Sequence, residues 1–516
     1  MEGSSSPVSL MFMHFAQFLD HDLTLTPEQD RECCHQEVLD SDLSQPQELR
    51  FCFNIDITGD DFFQDRTSCF PFTRSDPVCS TDGSREQMNG LSAFIDGGAV
   101  YGSDEETAGR LRSHSGGLMR TNRLGPSLPT RSEAGLREGE EPDSLVGGDV
   151  RATVQPGLTS VHSLFVNEHN RIAQGLRALD SLLDDESLYQ RSRILVTAQI
   201  QNIVFAEFLP AVLGPDLMTN IALPAEPEAH TDYDPSTNPG IANEFATVVF
   251  RFGHTLVPNS LKVSRDPAER TNGVNCPIKD NFFRSEDFVI GSDLKGRAWQ
   301  NILVGSSEDQ SPGPDSIFSK TITDFLFCGE NCGLASGFGQ DLVARNIQRG
   351  RDHGIPGYLE FRRFCDLSVP AGWSDRPGEI SEAAWERLQE AYTRVEDIDP
   401  FTGGMSETPV EGRVVGPTFG CVMLRQFGDV MKGDRLFFTH AEDGFRGGLP
   451  AALKSQIRGR RLSDILCDNI DIEELPINIF NISSQKFACS DNSKLDLKIA
   501  NNQLNSMFPA GVFIFS

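Results

Sequence analysis

Apolar residues recur along this chain mostly at helical intervals, with polar residues on the opposite face. The first such stretch, LMFMHFAQFLD (10–20), is strongly apolar and reads as a helix, yet it runs into three ionisable groups, Asp20, His21 and Asp22. Residues 158–180 carry Leu158, Val161, Leu164, Phe165, Ile172 and Leu176 at helical spacing, with charged residues on the other face. A second long pattern covers 185–213 and is stopped by Gly214 and Pro215. Residues 382–396 form another amphipathic helix. Strand-like alternation is rare and short. Composition marks loops at 121–149, 304–315 and 402–416. No internal repeat is visible. The pattern predicts a mainly α protein with long loops and few short strands.

The 516 residues are 38% hydrophobic, ample for a large core. Length alone suggests two or three domains, but no linker composition interrupts the chain, which keeps one large domain open. The formal net charge of −30 disfavours nucleic acid and anionic membrane surfaces as partners. No run of about 18 apolar residues occurs, so no membrane span is expected. The opening MEGSSSPVSLMFMHF lacks the basic region and small-residue cleavage site of a signal peptide.

Cysteine usage points to the outside of the cell. There are twelve, and five fall within residues 33–79. An even number crowded into polar, loop-like sequence predicts disulfides and an oxidising compartment, hence secretion. Scattered thiols or a zinc site are the alternative, but no paired CxxC exists, and Cys328 and Cys332 have no nearby histidine. The single sequon at Asn481 adds little.

Three segments hold polar groups that a helical frame does not need for folding. In the first, Gln17 and His21 are four residues apart and share a face, Asp20 lies beside them, and Asp22 points elsewhere. In VFRFGHTLVP (249–258), Arg251 and His254 are three apart on one helical face. ARNIQRGRDHG (344–354) is densely cationic around Asn346, Arg349, Arg351, Asp352 and His353. Taken singly, a histidine at a helix end is more often a solvated group, and an Arg-rich turn is more often an ion-pair network. The residues alone lead to two candidate histidines on separate helices, without a named cofactor.

QFLDHD, REQMNGLSAFIDGGAVYGS (85–103), LTSVHSLFVNEHNR (158–171), FRFGHTL (250–256) and NIQRGRDHGIPGY (346–358) occur in the order and at the spacings of one family. RRFC (362–365), RVVGPTFGCVM (413–423) and LCDNI (466–470) fit the same pattern. The chain resembles the animal haem peroxidases of the myeloperoxidase–peroxidasin–peroxinectin superfamily. The resemblance implies one large helical haem peroxidase domain over residues 1–516. Relatives carry a further segment before the first helix, so an N-terminally incomplete chain is expected.

The resemblance also implies roles. His21 matches the distal histidine, which takes a proton from hydrogen peroxide and returns it to the departing oxygen. An imidazole with an unperturbed pKa of about 6.5 suits both directions. Arg151 matches the distal arginine, which stabilises negative charge developing on the peroxide, and Gln17 matches a position that touches halide or water. His254 matches the proximal iron ligand, with its other ring nitrogen donating to Asn346. Arg251 and Arg349 match residues that bind haem propionates. Asp20 matches a carboxylate esterified to a haem methyl group. Asp22 matches a calcium ligand, completed by the Ser92 and Asp96 side chains and the Phe94 and Gly98 carbonyls. The implied cofactors are a haem b derivative, with at most one ester link, and Ca2+.

Two departures bear on chemistry. Val154 stands where a second ester-forming glutamate is expected, and Gln155 excludes a methionine sulfonium link. Chloride oxidation is therefore disfavoured against iodide, bromide, thiocyanate, tyrosine or other phenols. Gly98 lacks a side-chain oxygen that some relatives have there, which implies weaker calcium binding. The family's pattern further implies Cys365–Cys421 and Cys467–Cys489 disulfides, with Cys33, Cys34, Cys52 and Cys69 forming two more. Two other functions compete. A fatty-acid oxygenase of the same superfamily has a tyrosine where Arg251 stands. A peroxinectin-like adhesion or matrix protein draws on the integrin-type tripeptide Lys432-Gly433-Asp434, for which an ordinary turn is the simpler reading.

Overall fold

A computed structural model describes residues 5–45, 50–79, 84–136, 144–226, 229–263, 274–286, 298–329, 332, 337–441 and 448–507. Its architecture is mainly α. The Leu10–Leu23 helix lies in the middle of the core, apolar on nearly every side because every side is covered. Phe12 stacks on Phe208 at 4.9 Å, Phe18 stacks on Phe165 at 5.0 Å, and Phe15 meets Phe480 at 5.3 Å. Three separate parts of the chain thus clamp one helix. Burying three phenylalanines contributes on the order of 2–3 kcal/mol each, so the position of this helix is firmly set.

The expected helix at 158–180 is Pro156–Leu179, with Pro156 at its first position and the Gln155 side chain capping it. It packs on the Leu10–Leu23, Asp185–Ile203 and Ala298–Glu308 helices. The pattern at 185–213 resolves into Asp185–Ile203, a π-helical turn at Val204–Phe208, and Leu209–Met218. Gly214, at φ 75° and ψ 161°, is non-helical and ends that helix as expected, and Pro215 opens a further short helical turn to Met218. By length and composition Asp185–Met218 could cross a membrane, but 72% of its apolar window is buried inside the protein, so its apolarity is that of a core helix.

The helix expected at 382–396 ends at Ala391, and Val395–Asp397 forms a separate 3-10 turn. Two expected loops are partly ordered elements. The Ala298–Glu308 helix enters 304–315, and Gln310–Pro312 pairs with Ser5–Ser9; Pro400–Ser406 is helical inside 402–416. Local polarity hid these because they are held by tertiary contacts. Residues 137–143 of the third expected loop lie outside the described residues. Three further two-stranded antiparallel pairs, at 77–87, 260–277 and 474–488, complete the strands among the described residues.

Disulfides join Cys33–Cys52, Cys34–Cys69, Cys365–Cys421, Cys467–Cys489 and Cys328–Cys332. Cys276 is a buried free thiol. Asp434 of the Lys-Gly-Asp tripeptide is 6% exposed, and its carboxylate accepts from Leu436 N at 2.8 Å and Gln201 Nε2 at 3.4 Å. A buried aspartate is not available to an integrin, so the tripeptide is a structural turn.

Candidate active site

The Leu10–Leu23 helix brings Gln17, Asp20, His21 and Asp22 to its C-terminal turns. His21 is 5% exposed, and its Nδ1 has no hydrogen-bond partner among the described residues. The nearest charge is Asp149 Oδ1, at 3.6 Å. Asp149 also takes Arg151: Oδ1 accepts from the backbone N and from Nε, both at 2.8 Å, and Oδ2 accepts from NH2 at 2.9 Å. Arg151 NH2 donates to Thr24 O at 2.7 Å, and NH1 lies 3.8 Å from Asp20 Oδ2. Thr24 Oγ1 donates to Asp20 Oδ1 at 2.8 Å. One carboxylate, Asp149, thereby fixes Arg151 and faces His21.

Burial holds His21 well below the ordinary imidazole range; Arg151 adds to this and Asp149 opposes it. Its neutral form can accept a proton. Burial pushes Asp149 up, but hydrogen bonds from Arg151 and the proximity of His21 outweigh that and keep it an ionised carboxylate. Burial raises Asp20, with Arg151 pulling it back.

His254 stands on the 3-10 helix Val249–Leu256. Residues three apart eclipse one another in a 3-10 helix, so Arg251 and His254 align even more closely than the α-helical reading expects. Asn346 comes from the Leu342–Asp352 helix, which Asp341 caps by accepting from Val343 N at 2.7 Å and Ala344 N at 3.0 Å. Asn346 Nδ2 lies 2.7 Å from His254 Nδ1, while Asn346 Oδ1 accepts from Arg251 NH1 at 3.1 Å. The expected pairing is present with the amide reversed. A guanidinium can only donate, so Arg251 draws the amide oxygen to itself and turns the NH2 toward the imidazole. Burial, and then Arg251, bring His254 down to about 3.

The two histidines belong to one neighbourhood. The Leu10–Leu23 helix packs on the 3-10 helix, with Phe12 and Phe252 at 6.4 Å, and His254 bears electrostatically on His21. Asp20 and Arg151 lie deep in the fold yet keep about a quarter of their side-chain surface accessible, 25% and 24%. A separate cleft of about 890 Å3 lies beyond Asp149; its lining includes neither His21 nor His254.

Arg251 and Arg349 differ in what they offer. Arg251 is part-buried, has no carboxylate in ion-pair range among the described residues, and is pushed down to about 10 by burial and by Arg349. A buried cation in that state calls for an anion. Arg349 already donates to Glu28 at 2.5 Å, to Asp352 at 3.1 Å and to Ser75 Oγ at 2.8 Å.

Asp22 points away from these groups. Its carboxylate accepts from Ala99 N at 2.9 Å and Gly97 N at 3.3 Å. Asp96 accepts from Gly98 N and from Ser92 Oγ, each at 2.9 Å. Burial and then Asp96 push Asp22 up to about 8, as a like charge beside a buried carboxylate does. Ser92 Oγ also lies 3.5 Å from Phe94 O. The Gly98 carbonyl accepts from Gly102 N at 2.8 Å, which leaves its second lone pair. A Cβ placed on Gly98 would lie 3.0 Å from Ser103 Oγ, 3.2 Å from Asp96 Oδ1 and 3.6 Å from Asp22 Oδ1. Ser103 therefore brings a hydroxyl to the spot where a side chain at residue 98 would project. Hard oxygens from Asp22, Asp96, Ser92 and Ser103 are a donor set suited to calcium.

The sequence profile described as animal haem peroxidase matches residues 2–480. The chain belongs to that family. It is 32% identical over 508 residues to the Caenorhabditis elegans peroxidasin homolog pxn-2, covering 92% of this chain and 36% of the relative. It is 30% identical over 518 residues to Mus musculus thyroid peroxidase, covering 94% and 54%. Peroxidase A from Dictyostelium discoideum superposes with a TM-score of 0.72 at 27% identity, over 93% of this chain and 88% of that one. The chain thus spans about a third to about half of the two curated relatives. Within this peroxidase domain, haem fits the residues present: a part-buried imidazole beside an amide, a second imidazole on the neighbouring helix, and a part-buried guanidinium with no carboxylate in ion-pair range among the described residues.

Asp149, Ser103 and the Gln155 side chain do not emerge from the sequence reading. The GGDVR turn carries a signal for Asp149, since an aspartate two residues before an arginine can grip it locally. No local signal points from Gly98 to Ser103.

Proposed function

We propose that this domain is a haem peroxidase that uses hydrogen peroxide to oxidise iodide, bromide, thiocyanate or phenolic donors in an oxidising, extracellular setting. The observation that carries this reading is the Asp149 carboxylate gripping Arg151 while facing His21, with the His254–Asn346 pair on the neighbouring 3-10 helix.

In this reading His254 would hold the haem iron and Arg251 would pair with a propionate. Such pairing would free Asn346 Oδ1 from Arg251 and let the amide turn to accept from His254 Nδ1–H. Asp20 would supply the ester link, and Arg349 would have to release Glu28 to reach a propionate. When bound, haem supplies the iron at which peroxide is reduced by two electrons and donors are then oxidised. Neutral, buried His21 takes the proton of the arriving peroxide and gives it to the departing oxygen. The Asp149 carboxylate stabilises the imidazolium while it exists, as a carboxylate does beside any catalytic histidine. Arg151, immobilised by Asp149 and Thr24 O, presents NH1 to negative charge on the oxygen that leaves. Asp22, Asp96, Ser92 and Ser103, with the Phe94 and Gly98 carbonyls, would hold calcium and so tie the segment after His21 to residues 92–103.

Expression with haem, followed by absorption spectra before and after peroxide with several donors, tests the reading. A Soret band that changes with peroxide and returns on adding bromide, thiocyanate or a phenol is expected. A chain that takes up no haem contradicts it.

A further inference from the structure

Gln155 sits where the distal turn enters the Pro156–Leu179 helix, and its Oε1 accepts from Gly157 N at 2.7 Å. A backbone N–H can only donate, so this bond decides which end of the amide faces the helix. The other end, Nε2, lies 3.1 Å from Gln17 Oε1 and 3.1 Å from His14 Nδ1. Its two hydrogens serve both acceptors.

His14 is suited to its side of this arrangement. It is fully buried, and a Cβ on Gly157 would overlap its ring, so glycine is what admits the imidazole. Burial brings it down to about 3, which keeps it neutral, and facing the Gln155 NH2, which can only donate, sets Nδ1 as its acceptor. Its Nε2 has no partner among the described residues. His14, Gln17 and His21 fall at positions i, i+3 and i+7, along one face of one helix.

The consequence falls on Gln17. With Oε1 taken by Gln155, its Nε2 is left with no hydrogen-bond partner among the described residues, and Gln17 stands one turn from His21. We infer that Gln155, seated on His14, is a positioning residue that latches Gln17 with its NH2 turned toward the space His21 faces, and so favours small inorganic anions over phenols as electron donors. An amide NH2 presents the positive end of a dipole to a halide or thiocyanate, whereas an unlatched glutamine turns either end. This inference rests on the peroxidase reading and adds to it a choice of substrate class.

Two variants separate the latch from simple helix capping. Gln155→Glu keeps an acceptor for Gly157 N but removes both donated hydrogens, which forces Gln17 to turn its NH2 back toward residue 155. Gln155→Met removes cap and latch together. With bromide and thiocyanate titrated by the Soret shift of the haem-loaded chain, a latch predicts that Gln155→Met weakens anion binding about fivefold, the value of one hydrogen bond. It predicts a larger loss, roughly tenfold or more, for Gln155→Glu. A cap alone predicts the reverse order, with Gln155→Glu near wild type. In a Gln17→Leu background, Gln155→Met should cause no further loss. Losses that simply multiply, or the reversed order, overturn the latch while leaving the peroxidase reading intact. If the wild-type chain takes up no haem, the peroxidase reading falls, and the latch is then judged in the haem-free chain by thermal unfolding. There Gln17→Leu and Gln155→Met together must lower the melting temperature by less than the sum of the two, and full additivity overturns the latch.

Discussion

Asp149 binds the guanidinium of Arg151 side-on, through Nε at 2.8 Å and NH2 at 2.9 Å. The same carboxylate faces His21 at 3.6 Å, so one group orders Arg151 and sets the charge beside His21. Asp149→Asn keeps the shape but can no longer accept both guanidinium bonds or balance an imidazolium. We expect peroxide turnover to fall about 10- to 100-fold, the usual cost of removing a supporting carboxylate, with haem content unchanged. Stopped-flow rates at saturating donor check this, and turnover within twofold of wild type would deny Asp149 that part.

Asp20 Oδ1 is held by Thr24 Oγ1, and Oδ2 lies 3.8 Å from Arg151. If it is esterified to haem, acidified organic solvent extracts no haem from the wild type and all of it from Asp20→Val. Haem that leaves the wild-type chain freely shows that the ester is absent.

Burial and the neighbouring Asp96 hold the Asp22 carboxyl up at about 8, so a cation bound between them would favour its ionised form. Chelation by EDTA is expected to lower the melting temperature by about 2–5 °C, with excess calcium restoring it. Asp22→Ala should abolish that response. Ser103→Ala should keep it but require roughly tenfold more calcium, about the worth of one oxygen ligand. A wild-type melting temperature indifferent to EDTA and to added calcium removes calcium from this site.

Glu168 joins three parts of the core. It accepts from Arg171 Nε and NH2, both at 2.8 Å, from Asn469 Nδ2 at 2.9 Å and from Gln199 Nε2 at 3.1 Å. Burial alone would raise it, but Arg171, with Arg460 and Asn469, brings it down to about 2. The folded value lies below the unfolded one, so its stabilisation is present above about pH 4.3 and is lost as pH falls toward 2. Glu168→Gln should cost on the order of 3 kcal/mol at pH 7, as removal of one partner from a buried ion pair does. The difference from wild type should narrow steadily below about pH 4.3 in denaturant melts; a difference that stays constant down to pH 3 contradicts the assignment.

Much of this was readable in sequence because it is periodic or local. The core helices announce themselves by apolar spacing, and the pairing of Arg251 with His254 follows from three-residue separation in either helix type. Other features depend on chain segments meeting. Asp149 reaches His21 across 128 residues, and Ser103 meets Gly98 only because the chain turns at Gly102. The amide reversal at Asn346 follows from Arg251, whose donor is 95 residues away in sequence. Gln155 is legible in sequence only as a missing methionine; what its own amide does appears once Gly157 and His14 are placed around it.

The central claim is that His254 holds haem while His21 works across from it. Haem reconstitution of His254→Ala and His21→Ala, followed by Soret absorbance and peroxide turnover, tests it most directly. We predict that His21→Ala keeps a full complement of haem and loses about 100- to 10,000-fold in turnover, whereas His254→Ala loses the haem. A His254→Ala protein with wild-type haem content and turnover, or a His21→Ala protein that turns over peroxide normally, would contradict it.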